Sequence, residues 1–219
     1  TKPPEEKTTW ATQKVMLGIK AIWVVALASA LMYVTRYAIN SWGILYLQEV
    51  RNYSLTLTEA AFFMSINTLA GIFGSIAYGF VSDKFFDAKR PPANLIFALV
   101  EVGALILIFF GPTNEFIQML AFALYGATLS GLMASLGGLF AVDIAPRGAT
   151  GAAMGFVGIF SYLGAAIQEN VSASLISNNT IITDGNRIYD FDSAIIFWIG
   201  SSIVSLLLAA SLWNTKVVK

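Results

Sequence analysis

Six long apolar runs organise the chain, at approximately 21–47, 57–81, 93–111, 115–141, 149–176 and 192–213. Clusters of charged, Gly, Pro, Asn or Asp residues separate them and break the helical pattern. About 20 mainly apolar residues wound as an α-helix cross the roughly 30 Å of hydrocarbon in a bilayer. The pattern therefore predicts six transmembrane helices. A membrane barrel would instead alternate apolar and polar residues over strands of about ten; these runs are longer and apolar on every side. The expected organisation is all-α: a linker and helix lead-in over 1–20, a six-helix membrane unit over 21–213 and a short tail over 214–219.

Composition strengthens this picture. Of the 219 residues 57% are hydrophobic and 12% charged, against about 25% charged in a soluble domain. The 13 basic and 13 acidic residues cancel, so the chain lacks the basic excess that a nucleic-acid partner demands. There is no Cys and no His. Thiolate chemistry, disulfides, and the commonest general base and metal ligand are therefore missing, and neither an enzyme activity, a metal nor a cofactor is expected. The opening Thr1-Lys-Pro-Pro-Glu-Glu-Lys has no cleavable leader pattern and reads as a linker, with another part of the protein expected before it.

Charge also orients the helices. Six crossings place the N-terminus, the second and fourth loops and the C-terminus on one side. That side carries Lys2, Lys7, Lys14, Lys20, Lys84, Lys89, Arg90, Arg147, Lys216 and Lys219, and the other side only Arg51 and Arg187. By the positive-inside rule both termini are expected in the cytoplasm, with the chain in the cell (inner) membrane. The polar loop from Ser177 to Ser193 then lies outside and reads as a solvated acidic segment. Small residues at close spacing mark every helix, among them Gly71/Gly74/Ser75, Gly126/Ser130/Gly131 and Gly151/Gly155/Gly158 with Ser161 and Gly164. They let backbones approach closely in lipid, and their density in the fifth run predicts bending or rocking there.

Arg36 is the most informative residue, because it falls near the middle of the first run. A charge at that depth costs at least about 2.5–3.5 kcal/mol and requires a cavity or a partner. Tyr33, Arg36, Tyr37 and Asn40 share one helical face. Guanidinium, phenols and an amide form a surface suited to an oxyanion such as phosphate or carboxylate. The alternative is a structural ion pair with an intramembrane acid, for which Glu101, in the middle of the third run, is the candidate. Glu101 is otherwise a protonated packing residue or a proton site. Glu169 sits towards the outer end of the fifth helix and reads as water-exposed. Asn67 is either glue between helices or cavity lining.

After the second run comes Gly79-Phe-Val-Ser-Asp83-Lys84-Phe-Phe-Asp-Ala-Lys89-Arg90, followed by Pro91-Pro92. This segment resembles the loop motif of the major facilitator superfamily in its second-half copy. There Gly79 would permit close helix contact, and Asp83, against Arg90 or a neighbouring helix end, would act in a gate. Further segments match in order: Met32-Tyr-Val-Thr-Arg36-Tyr-Ala-Ile-Asn-Ser-Trp42-Gly-Ile-Leu-Tyr46-Leu, Ser82-Asp-Lys-Phe-Phe, Asn94-Leu-Ile-Phe-Ala, Ala145-Pro-Arg, and Gly151-Ala-Ala-Met-Gly-Phe-Val-Gly-Ile-Phe-Ser-Tyr162-Leu-Gly. Together they look like the organophosphate:phosphate antiporter family, in its hexose-phosphate and sensor-like branch.

The resemblance implies the C-terminal half of a twelve-helix bundle, built as a 3+3 inverted repeat, whose partner is an N-terminal six-helix half in the same bilayer. It implies exchange of a sugar phosphate, glucose 6-phosphate in the first instance, for inorganic phosphate by alternating access. The alternative is a membrane sensor that binds sugar phosphate and signals without net transport. Arg36 would bind phosphate opposite a second Arg from the N-terminal half, with Tyr33, Tyr37 and Tyr162 near the site and Asn40 and Glu101 completing the candidate set. Departures occur at Thr68, where relatives often carry an acid, at Ser130-Gly131-Leu132 in place of an aromatic-Gly-Pro turn, and at Met154 and Val157 in place of an Asp and a Lys. Glu101 is a conceivable substitute for the acid missing at Thr68.

Overall fold

A computed structural model describes residues 10–49, 55–183 and 186–215. A short helix α1 (Trp10–Leu17) leads into α2 (Lys20–Glu49), followed by α3 (Leu57–Phe86), α4 (Arg90–Phe110) and α5 (Glu115–Ala134). A π-helical turn over Ser135–Leu139 joins α5 to α6 (Phe140–Ile144), so that Glu115–Ile144 forms one crossing. The chain continues through α7 (Thr150–Asn179), strands β1 (Ile181–Thr183) and β2 (Asn186–Ile188), and α8 (Asp192–Ser211). Among the described residues six helices are long and apolar enough to span a membrane, each where an apolar run predicts one.

Several helices outlast their apolar runs. At 30 residues a helix is about 45 Å long, well beyond the hydrocarbon, so α3 carries Ser82, Asp83 and Lys84 on regular helix. It opens with a capping box: Thr56 accepts from the Glu59 backbone N–H while the Glu59 carboxylate takes the Thr56 N–H at 2.8 Å. It closes through Asp87 and Ala88, both left-handed at φ 50° and 60°, whose N–H groups return to the Ser82 carbonyl. Two L-residues in this region are unfavourable by about 1–2 kcal/mol each. The resulting tight turn starts α4 at Arg90, with Pro91 and Pro92 in its first turn, where a missing N–H leaves no bond unmade.

The packing is that of two interlocked three-helix units. α2 lies chiefly against α7 and α8, and α5 chiefly against α3 and α4, while α4 meets α8 between them. Exchanging α2–α3–α4 with α5/α6–α7–α8 maps this pattern onto itself, as a 3+3 inverted repeat requires. Glycine makes both main crossings possible. A Cβ at Gly74 would collide with the backbone of Ala127, one at Gly126 with the backbone of Asn67, and one at Gly164 with the backbone of Ala30. Asn67 is thus buried in the α3–α5 contact. Buried hydroxyls tie α2 to both of its neighbours, Ser29 to Ser161 of α7 at 2.7 Å and Ser205 of α8 to the Ala28 carbonyl at 2.8 Å, the usual glue between helices in lipid.

Two details lie beyond the hydrophobic pattern. The glycine-rich fifth crossing, α7, is α-helical from end to end, and an irregular turn falls in the fourth, where the Phe140 N–H reaches back five residues to the Ser135 carbonyl. And the loop after α7 contains an antiparallel ribbon pairing Ile181 with Ile188, Ile182 with Arg187 and Thr183 with Asn186. Asp184-Gly185 between the strands is the sequence signal for a two-residue hairpin, obscured by the acidity around it.

Candidate functional site

The α2 face expected to carry the chemistry is assembled. The Arg36 Cζ lies 5.2 Å from the Tyr33 ring centroid and 5.5 Å from that of Tyr37, within cation–π range of both. The two rings stack at 6.1 Å, and Tyr162 from α7 meets Tyr33 edge-on at 5.8 Å. Asn40 continues the face as an exposed residue, and Tyr162 is 62% exposed. The helix is anchored from its opposite side: buried Tyr125 of α5 donates to the Thr35 carbonyl at 3.0 Å, directly behind the guanidinium.

Glu101 does not join this face. Only 3% exposed, it accepts a hydrogen bond from Ser202 at the α4–α8 contact, and its second carboxylate oxygen has no hydrogen-bond partner among the described residues. The ion pairs among the described residues both belong to Arg90. A resting Glu101–Arg36 pair is therefore not formed, because α4 turns its carboxylate towards α8 and away from α2's open face. Nor does Glu101 replace an acid at Thr68, which is exposed on α3 and donates to the Met64 carbonyl of its own helix. Glu169 is not simply water-exposed: it accepts a hydrogen bond from Ser41 across the α2–α7 contact. Val157, where the hexose-phosphate pattern has a Lys, is fully buried.

At the Arg90 end, Asp83 and Arg90, the pair expected to act in a gate, come together with a partner that sequence reasoning missed. The Arg90 Nε donates to Asp143 Oδ2 at 3.1 Å, one of its terminal nitrogens donates to the Ser82 hydroxyl at 3.3 Å, and Asp83 stands 4.0 Å away. One guanidinium thus clamps the end of α3 to α6. Asp143, placed three residues before Pro146 at the end of an apolar run, was the available signal. Gly79 is different: a Cβ there would meet nothing within 4 Å, so the close helix contact expected of it is not made among the described residues.

Residues 1–168 match the sequence profile of the Major Facilitator Superfamily. The chain belongs to this superfamily. The six-helix unit fits half of the bundle of this superfamily. Similar proteins include a glycerol-3-phosphate transporter of Bacillus subtilis, 28% identical over 201 residues that cover 91% of this chain and 43% of that protein. The membrane sensor protein UhpC of Salmonella typhimurium is 39% identical over 150 residues, 67% of this chain and 33% of the sensor. A probable hexose phosphate transport protein of Chlamydia trachomatis is 33% identical over 161 residues, 69% of this chain and 33% of that protein. These relatives fall in the organophosphate:phosphate antiporter group of the superfamily. The chain spans about a third to two-fifths of their length.

Proposed function

We propose that this chain is the C-terminal half of a secondary transporter that exchanges a sugar phosphate, glucose 6-phosphate in the first instance, for inorganic phosphate by alternating access. The observation that carries this reading is the Arg36 face: a mid-span guanidinium framed by two phenols, open to one side, with no carboxylate paired to it among the described residues. A cation so placed is stabilised when an anion arrives, and a planar fork matches phosphate in two bonds. Tyr33, Tyr37, Tyr162 and Asn40 supply further hydrogen-bonding groups. The Arg90–Asp143–Ser82 clamp, with Asp83 beside it, is the gate at the opposite end from Glu49.

This reading needs an N-terminal six-helix half. The surface offered to it is the side of α3 and α7 where Gly79, Gly151, Gly155 and Gly158 meet no neighbour within 4 Å. The ten-to-two distribution of basic residues supports an orientation with the Arg90 end and both termini of the chain in the cytoplasm and the protein in the inner membrane.

The test is Arg36→Lys in the reconstituted full-length protein, measured by phosphate self-exchange. Lysine keeps the charge and loses the fork; losing a charged hydrogen bond of about 1.5–3 kcal/mol raises half-saturation roughly 10- to 150-fold. Unchanged half-saturation removes Arg36 from the site. The similarity to a membrane sensor sustains a second reading, binding without exchange. Retained phosphate binding with negligible flux in the unsubstituted protein selects it.

A further inference from the structure

Among the described residues Glu169 is the carboxylate that joins α7, the helix of Tyr162, to α2, the helix of Arg36, and the transport reading gives it no role. It lies seven residues after Tyr162 on α7, two helical turns along the same face. Its partner Ser41 follows Tyr33 and Tyr37 at four-residue spacing on α2. The Ser41–Glu169 hydrogen bond therefore sits on the same side of the α2–α7 pair as the Tyr33–Tyr162 contact, further towards the Glu49 end. Ser41 and Asn40 are exposed there. Glu169 uses one carboxylate oxygen for Ser41; the other accepts no hydrogen bond from the described residues.

Along α2, Ser41 stands five positions beyond Arg36, a rise of about 7.5 Å with a turn of about 140° about the axis, so Ser41 lies round towards α7 and the rise is the axial offset alone. A cation and an anion so offset, with no ion pair between them among the described residues, give the α2–α7 pair a polarity along its axis. Phosphate is attracted to the first and repelled by the second, while hydroxyl groups donate readily to a carboxylate. We infer that Glu169, held by Ser41, is the specificity-determining residue for the sugar end of the ligand: it accepts hydrogen bonds from hydroxyls of a long polyol phosphate whose phosphate lies on Arg36. A six-carbon ester carries hydroxyls further along that axis from its phosphate than a three-carbon ester does, and inorganic phosphate carries none.

This inference rests on the phosphate site proposed above, and the experiment separates the two. Full-length protein in nanodiscs is loaded with radiolabelled inorganic phosphate, which is displaced by unlabelled phosphate, glycerol 3-phosphate or glucose 6-phosphate. In Glu169→Gln, the concentration of glucose 6-phosphate for half displacement rises about tenfold, the loss of a hydrogen bond to a charged acceptor. The values for phosphate and glycerol 3-phosphate stay within about twofold. Ser41→Ala, which leaves the carboxylate but frees it to turn, shifts glucose 6-phosphate alone and by less, and it carries the test if Glu169→Gln does not fold. A Ser41–Glu169 bond that only joins two helices moves all three ligands together or none, and either result overturns the inference. Absence of phosphate binding in the unsubstituted protein overturns the phosphate site itself and the inference with it.

Discussion

Replacing Gly74 or Gly164 by alanine tests the two crossings on which the half-bundle is built. At Gly74 the new methyl would occupy the space of the Ala127 backbone, and at Gly164 that of the Ala30 carbonyl. Non-bonded carbon atoms rest at about 3.5–4.0 Å, so each crossing must open by roughly 1 Å. No rotamer change relieves the clash, because the obstructing atoms are main chain. Overpacking of this kind costs about 1–3 kcal/mol, and rigid obstruction puts these two sites at the upper end. For a unit of this size such a loss lowers the unfolding midpoint by roughly 6–12 °C. Gly103 on α4 and Gly200 on α8 are the controls: a Cβ at either meets nothing within 4 Å. Alanine there gains helix propensity of up to about 1 kcal/mol, so those variants melt at or above the parent. The assay is scanning fluorimetry of the full-length protein in detergent, read through its tryptophans. If Gly74→Ala and Gly164→Ala melt within a degree or two of the controls, the close crossings do not exist as described.

Three further substitutions probe the carboxylates. Glu101→Gln keeps the shape and the acceptor for Ser202, and it lies away from Arg36, so phosphate half-saturation should stay within about twofold in exchange assays; tighter phosphate binding would restore the ion pair that the fold does not form. Asp143→Asn weakens a 3.1 Å charged hydrogen bond between groups 15% and 28% exposed, worth about 1.5–3 kcal/mol, whereas Asp83, 68% exposed at 4.0 Å, contributes about 0–1 kcal/mol. The exchange rate and the access of an alkylating probe to the Arg90 end should accordingly change more in Asp143→Asn than in Asp83→Asn, and the opposite ranking would contradict the clamp.

The six crossings were legible because hydrocarbon thickness imposes one length on any helix that spans it. The Arg36 face was legible for a similar reason: spacings of three, four and seven residues fix which side chains share a face, whatever packs behind them. Contacts between helices were not. Arg90 meets Asp143 across 53 residues, and Ser202 meets Glu101 across 101. Each meeting depends on how two cylinders are turned and crossed, which no local pattern encodes. The same gap hid Ser41–Glu169, since a carboxylate near a helix end looks solvated until the neighbouring helix is placed. Dense glycines in the fifth run read equally as close packing and as a place for bending or rocking. Gly164, however, is filled by the Ala30 backbone, so at that position glycine serves contact and does not interrupt the helix.

The π turn at Ser135–Leu139 sets the phase of the segment that follows it. A turn closed over five residues holds one more than an α turn, and each residue advances a helix by about 100°. Everything from Phe140 onward is therefore dialled about 100° from where the periodicity of α5 would carry it, and Asp143 reaches Arg90 only in that setting. Shortening the turn by one residue, at Gly137, where no neighbour is within 4 Å, would swing the carboxylate off the guanidinium without altering either. The clamp is thus specified by an insertion upstream as much as by its own residues.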